Sequence, residues 1–186
     1  MNRADAFALL NEYVKDQGLI RHCLAVEAAM RAYARKLGQE EETWGIVGLL
    51  HDFDYERWPE PPDHPLKGAE ILRARGYPDE VIYAIKSHAD YLPDCPRLRP
   101  IEKALYACDE LTGLITATAL LRPGGITDLT AASVQKKMKA KGFARNINRE
   151  DIARGAADFG VDLMEHIQFV IDAMKTIADE LGLRGG

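Results

Sequence analysis

An all-α fold is what this chain predicts, from three observations. Apolar residues recur at helical spacing through most of its length, and no stretch alternates polar and apolar residues as a half-buried strand does. Glycine and proline punctuate the periodic segments without forming a repeat or a low-complexity linker. At 186 residues and 47% hydrophobic content the chain can bury one substantial core and is short for two, so a single domain over 1–186 is expected.

The elements follow in order. A first helix is predicted from about Arg3 to Asp16, broken by Gly18, and a second from Leu19 to Leu37, ended by Gly38 at a C-cap position. Glu41 to His51 forms the third, finishing in the apolar run Ile46-Val47-Gly48-Leu49-Leu50. Arg57 to Pro65 holds four prolines and reads as loop, because proline lacks the N–H and the freedom that a helix interior needs. Helices are then expected over 66–75, 79–89, 101–121, 129–141, 149–159 and 161–181, with proline-bearing breaks at Pro78, Pro93 to Pro100 and Pro123.

Composition narrows the function. A net charge of −5 argues against a surface built wholly for nucleic acid, so bulk nucleic-acid binding is not expected and small-molecule partners are. Cys23, Cys95 and Cys108 are odd in number, scattered and without a Cys-x-x-Cys pair, which fits a reducing compartment and neither a disulfide framework nor a thiolate zinc site. No apolar run approaches the roughly 18 residues of a membrane span. A cytoplasmic protein is the expectation.

The chemistry lies in His22, His51-Asp52, His64, His88 and Asp109, which use four of the five histidines. Imidazole nitrogen and carboxylate oxygen are the mixed donors that hold Fe, Mn, Zn or Ni, and six exceed what one four-coordinate ion needs, pointing to two ions. His22 stacks with Ala25, Val26, Ala29 and Tyr33 on the inward stripe of its helix. His51-Asp52 ends a buried run, where a carboxylate is costly unless paired or metal-bound. Asp109 shares a helix face with Leu105 and Thr112, so either a buried arginine or a metal must answer it. His64 and His88 sit at helix ends beside irregular loops, which predicts a core ion with a more accessible neighbour. His166, on the apolar stripe of the last helix, is read as structural.

With those residues in place the chain resembles the HD-domain metal-dependent phosphohydrolases, whose pattern is a histidine, then His-Asp, then a distal aspartate, on a helical bundle. The resemblance covers about 19–121 as the HD core, leaving 122–186 as a helical extension. It implies that His22, His51, Asp52 and Asp109 hold one ion, and that Asp52 bridges to a second bound by His64 and His88. It makes Asp52 and Asp109 the catalytic candidates. The stretch from His64 through Gly68-Ala69 to the IEKALYACDEL helix is similar to bacterial HD-type symmetrical diadenosine tetraphosphate hydrolases. Where many HD enzymes carry a phosphate-contacting lysine three positions after the Asp of the pair, Tyr55 stands. Gly76-Tyr77-Pro78 is read as a plain turn.

The implied reaction is hydrolysis of a phosphoester or phosphoanhydride in a nucleotide or small phosphorylated metabolite, by attack of a metal-bound hydroxide. One or two divalent ions are expected, Fe or Mn first, with Ni, Co, Zn or Mg as alternatives. Arg57, Lys67 and the basic segment beginning at Lys136 and Lys137 and running to Arg154 are the candidate phosphate contacts. Two other functions share the ligand set: a di-iron oxygenase, and a regulatory module that binds nucleotide or metal without turnover.

Overall fold

The computed structural model describes residues 1–140 and 142–185. Among them the protein is all-α, with nine helices and, as its one strand-like feature, an isolated antiparallel bridge between Gly125 and Arg184. No described helix is long and apolar enough to cross a membrane. The chain packs as two compact units, Met1–Leu105 and Tyr106–Gly186, and the division falls inside α6 (Pro100–Ala119).

The first unit contains α1 (Arg3–Tyr13), α2 (Gln17–Leu37), α3 (Glu41–Leu50), α4 (Asp63–Ala74), α5 (Asp79–Lys86) and the start of α6. Helix α3 is the centre of this unit: α2 lies along it, and α1 and α5 also pack on it. That placement follows from its apolar run, because every residue from Trp44 to Leu50 is buried. At Gly48 the fit is closest. A Cβ there would stand 2.9 Å from the Glu27 Cα and 2.9 Å from the Val26 carbonyl oxygen, so only glycine lets α3 lie this near α2. Gly48→Ala is therefore expected to lower stability by about 1–3 kcal/mol through overpacking. Urea denaturation measures it, and an unchanged midpoint would refute the close fit.

Charge also fastens α1, α2 and α3 to one another. Glu27, 3% exposed, accepts from Arg3 Nε and Nη2 at 2.7 and 3.0 Å and from Arg31 Nε at 2.8 Å. Arg31 reaches on to Glu42 at 2.9 Å, which also takes the Arg3 N–H at 2.7 Å. A carboxylate this buried persists because several donors surround it.

Helix ends differ from the sequence expectation where capping decides them. Helix α1 stops at Tyr13, and Asp16 caps α2 by accepting the Leu19 N–H at 2.7 Å, which makes Gly18 a first-turn residue and not a breaker. Gly38 closes α2 with φ 64°, the left-handed conformation expected of it. The chain enters α4 within the proline segment, but His64 is extended (φ −79°, ψ 133°), and the helix is regular only beyond Pro65. Helix α5 ends at Lys86, earlier than 89, because Ser87 Oγ donates to the Ala84 carbonyl at 2.8 Å.

The second unit holds the remainder of α6 with α7 (Ala131–Met138), α8 (Arg149–Phe159) and α9 (Leu163–Lys175). Helices α7 and α8 both pack on α9. Gly155 of α8 comes so near α6 that a Cβ would lie 2.8 Å from the Ala107 Cα. His166 of α9 is 1% exposed, and its Nε2 donates to the Ala107 carbonyl at 2.9 Å. Helix α9 ends at Lys175, short of 181, where Thr176 Oγ1 turns back to the Ala173 carbonyl at 2.7 Å. Lys141, the expected end of α7 and part of the basic segment, lies outside the described residues.

Candidate metal centre

Within the first unit five of the six candidate ligands converge. His22 comes from the second turn of α2, His51 is the C-cap of α3, and Asp52 begins the turns that follow. His64 stands in the extended entry to α4, and His88 lies two residues past α5. Their donor atoms form two groups that share one residue: His22, His51 and Asp52, and Asp52, His64 and His88.

Asp52 divides its two oxygens between the groups. Its Oδ2 faces His51 Nε2 at 3.5 Å and His22 Nε2 at 3.9 Å, while Oδ1 faces His64 Nε2 at 3.4 Å and His88 Nε2 at 3.5 Å. The paired imidazoles approach equally closely in both, with Nε2···Nε2 separations of 3.1 Å for His22–His51 and 3.1 Å for His64–His88. Two nitrogens at that separation can both lie about 2.1 Å from one ion, the usual metal–imidazole distance.

Proton placement makes these contacts informative. His51 Nδ1 donates to the Gly48 carbonyl at 2.8 Å and His88 Nδ1 to the Ile85 carbonyl at 2.5 Å. His64 Nδ1 lies 2.8 Å from Asp54 Oδ1. A carbonyl or a carboxylate only accepts, so each of these Nδ1 atoms carries a proton, and each neutral ring has its lone pair on Nε2. In the second group two lone pairs then face one another, with a carboxylate oxygen beside them. A cation among them relieves that repulsion. The donor chemistry therefore fits divalent transition ions.

Accessibility runs opposite to the sequence expectation. His64 and His88 are 5% and 9% exposed, whereas His22 is half-buried. Loop packing is the reason. The Tyr91 hydroxyl donates to the His64 carbonyl at 2.5 Å, and the Tyr55 ring meets His64 edge-on with centroids 5.2 Å apart. Burial, with the charges of Asp54 and Asp52, pushes the Tyr91 phenol up to about 12, so it stays a donor. Tyr55, three positions after Asp52, thus shields a candidate ligand.

The remaining candidates lie as follows. Asp109 is on α6 in the second unit, half-buried, and its carbonyl accepts from Thr112 Oγ1 at 2.8 Å. Beside it the Cys108 thiol is pushed well above its usual range, first by burial and then by the Asp109 charge, so it is an inert core group. All three cysteines are buried and unbridged. Arg57 is turned toward α1, donating to the Glu12 carbonyl at 2.6 Å with its guanidinium 4.0 Å above the Tyr13 ring. Lys67 Nζ is 3.6 Å from Glu70, one turn along α4. In the second unit Lys136 is exposed on α7, and Lys137 Nζ lies 4.9 Å over the Phe143 ring. Further along, Arg149 binds backbone carbonyls of 143, 144 and 147, and Arg154 pairs with Asp151 at 2.5 Å.

A helical scaffold that gathers four imidazoles around one shared carboxylate places the chain among proteins whose donors could hold divalent cations. Residues 19–114, more than half of the chain, match the HD domain family, and the chain belongs to it. Over 133 residues it is 26% identical to Ribonuclease Y of Oleidesulfovibrio alaskensis, covering 70% of this chain and 24% of that protein. Over 163 residues it is 24% identical to Ribonuclease Y of Desulfotalea psychrophila, covering 86% of this chain and 28% of that protein. The chain thus spans about a quarter of the length of these relatives. No solved structure matches it.

Proposed function

We propose that this chain is a metal-dependent phosphohydrolase that cleaves a phosphoester or phosphoanhydride bond in a nucleotide-type substrate. The observation that carries the reading is the division of the Asp52 carboxylate between two histidine pairs, each with an Nε2···Nε2 separation of 3.1 Å. In this reading His22, His51, Asp52 and Asp109 hold one ion, and Asp52, His64 and His88 hold the other. Fe or Mn fits this imidazole and carboxylate set first. Bound divalent ions there would bring a water near neutral pKa and neutralise phosphoryl charge.

The chain's own residues supply the rest. The carbonyls of Gly48 and Ile85 and the Asp54 carboxylate hold three Nδ1 protons in place, which puts the lone pair of each neutral ring on Nε2. The half-buried His22 and Asp52 form the more open part of the centre, which is the side for a charged substrate to approach. Likeness to two ribonucleases Y favours a nucleotide phosphodiester among the possible bonds and adds ribonucleotide linkages to the small nucleotides.

The test is metal analysis of protein purified without oxygen, followed by turnover of mono-, cyclic and dinucleoside polyphosphates and a short RNA. Release of phosphate or nucleotide with Mn or Fe, lost on chelation and restored by the metal, is the expected result. A fully loaded protein that leaves every phosphoester intact would overturn it, and oxygen uptake in its place would assign di-iron oxygen chemistry.

A further inference from the structure

We propose that Asp54 is a positioning residue for the second histidine pair, fixing the tautomer of His64 and thereby the affinity for the second ion. The inference rests on the metal reading above and adds a residue to it. Asp54 is 1% exposed, in the turn just beyond the His51-Asp52 pair. Both of its oxygens are engaged: Oδ1 takes the His64 Nδ1–H at 2.8 Å, and Oδ2 takes the Gly68 N–H at 2.7 Å. Nothing separates the carboxylate from the helix that bears His64, since a Cβ on Gly68 would lie 2.8 Å from its Cγ.

The consequence is chemical. His51 and His88 donate to backbone carbonyls, but His64 donates to an anion. A carboxylate partner raises the basicity of the far nitrogen and orients the ring, and such outer partners are worth about 10–100-fold in metal affinity. Asp54 also ties that effect to the backbone, because the same carboxylate holds the early part of α4 through the Gly68 N–H. The geometry thus links folding of the α4 entry to readiness of His64.

Asp54→Asn separates tautomer from shape. The amide keeps the size of the carboxylate but has one acceptor. If its oxygen takes the Gly68 N–H, its NH2 faces His64 Nδ1 and drives the ring proton to Nε2, the atom directed at His88. If it turns over, NH2 meets the Gly68 N–H, donor against donor. The ligating form of His64 is therefore reached only through the second arrangement, at the cost of that donor–donor clash.

Two measurements test this. Imidazole 15N shifts of the metal-free protein near pH 8.5 report the tautomer without any metal: the Nδ1–H form of His64 is expected in the wild type, and an Nε2–H form in that spectrum overturns the proposal. Stepwise Co(II) titration, followed by absorbance, is expected to give two equivalents in the wild type. In Asp54→Asn the first ion should bind within about 3-fold of wild type and the second about 10–100-fold more weakly. A second affinity that does not move, or both affinities falling together with thermal stability, overturns the positioning role. A wild type that binds no second ion defeats the two-ion reading itself, whereas the tautomer measurement still decides what Asp54 does to His64.

Discussion

Asp52→Ala should strip the protein of both ions and cut phosphoester turnover by roughly a thousandfold, the rate equivalent of several kcal/mol of charge stabilisation. The expectation follows from position. Asp52 belongs to both donor groups, with one oxygen 3.5 Å from His51 Nε2 and the other 3.4 Å from His64 Nε2. Each histidine belongs to one group only, so His88→Ala is expected to lose the second ion and keep the first. Asp52→Asn lies between: one carbonyl oxygen can serve one group, while the NH2 presents hydrogens to the other. Metal content by elemental analysis, with turnover on the same preparations, distinguishes these patterns. Two full equivalents of metal in Asp52→Ala would show that the shared carboxylate is not what joins the groups.

The helical framework was legible because capping residues and apolar runs act locally. Gly38 stops α2 in the conformation its type favours, and the run ending at Leu50 is buried throughout, as its composition requires. The gathering of His22, His51, Asp52, His64 and His88 was legible from residue type and order, since mixed imidazole and carboxylate donors in one domain point to a shared centre. What stayed hidden depends on contacts between distant segments. Helical position alone left His64 open at a helix end; the structure closes it with Tyr55 and with Tyr91, 27 residues along the chain. Arg57 carries the charge to bind phosphate, yet a carbonyl and a ring on α1 occupy it. Asp54 lies in irregular turns, where no periodicity assigns a face, so its hold on His64 has no sequence signal beyond a carboxylate next to the buried Phe53. Gly48 reads as an interruption in an apolar run until α2 is seen against it.

Asp109→Ala should be the reciprocal of His88→Ala under the proposed ligand set. If Asp109 completes the first group, its removal leaves His22, His51 and the shared Asp52, one donor short of a four-coordinate set. The expected result is selective loss of the first ion, with the second retained on Asp52, His64 and His88, and turnover down at least about a hundredfold, since each tenfold corresponds to about 1.4 kcal/mol of barrier. Chelation and reloading should restore full occupancy to the wild type and only one equivalent to the variant. The structural cost should be modest. Asp109 is half-buried, and the contact made by its own carbonyl, with Thr112, survives truncation of the side chain. Around it, the close approach of Gly155 to Ala107 and the His166 bond to the Ala107 carbonyl hold α6 within its unit independently of the Asp109 side chain. Unfolding by urea should therefore change far less than metal content. If Asp109→Ala keeps both ions and full turnover, the first ion must be completed by another donor, and the distal aspartate of the HD pattern has no metal role in this chain.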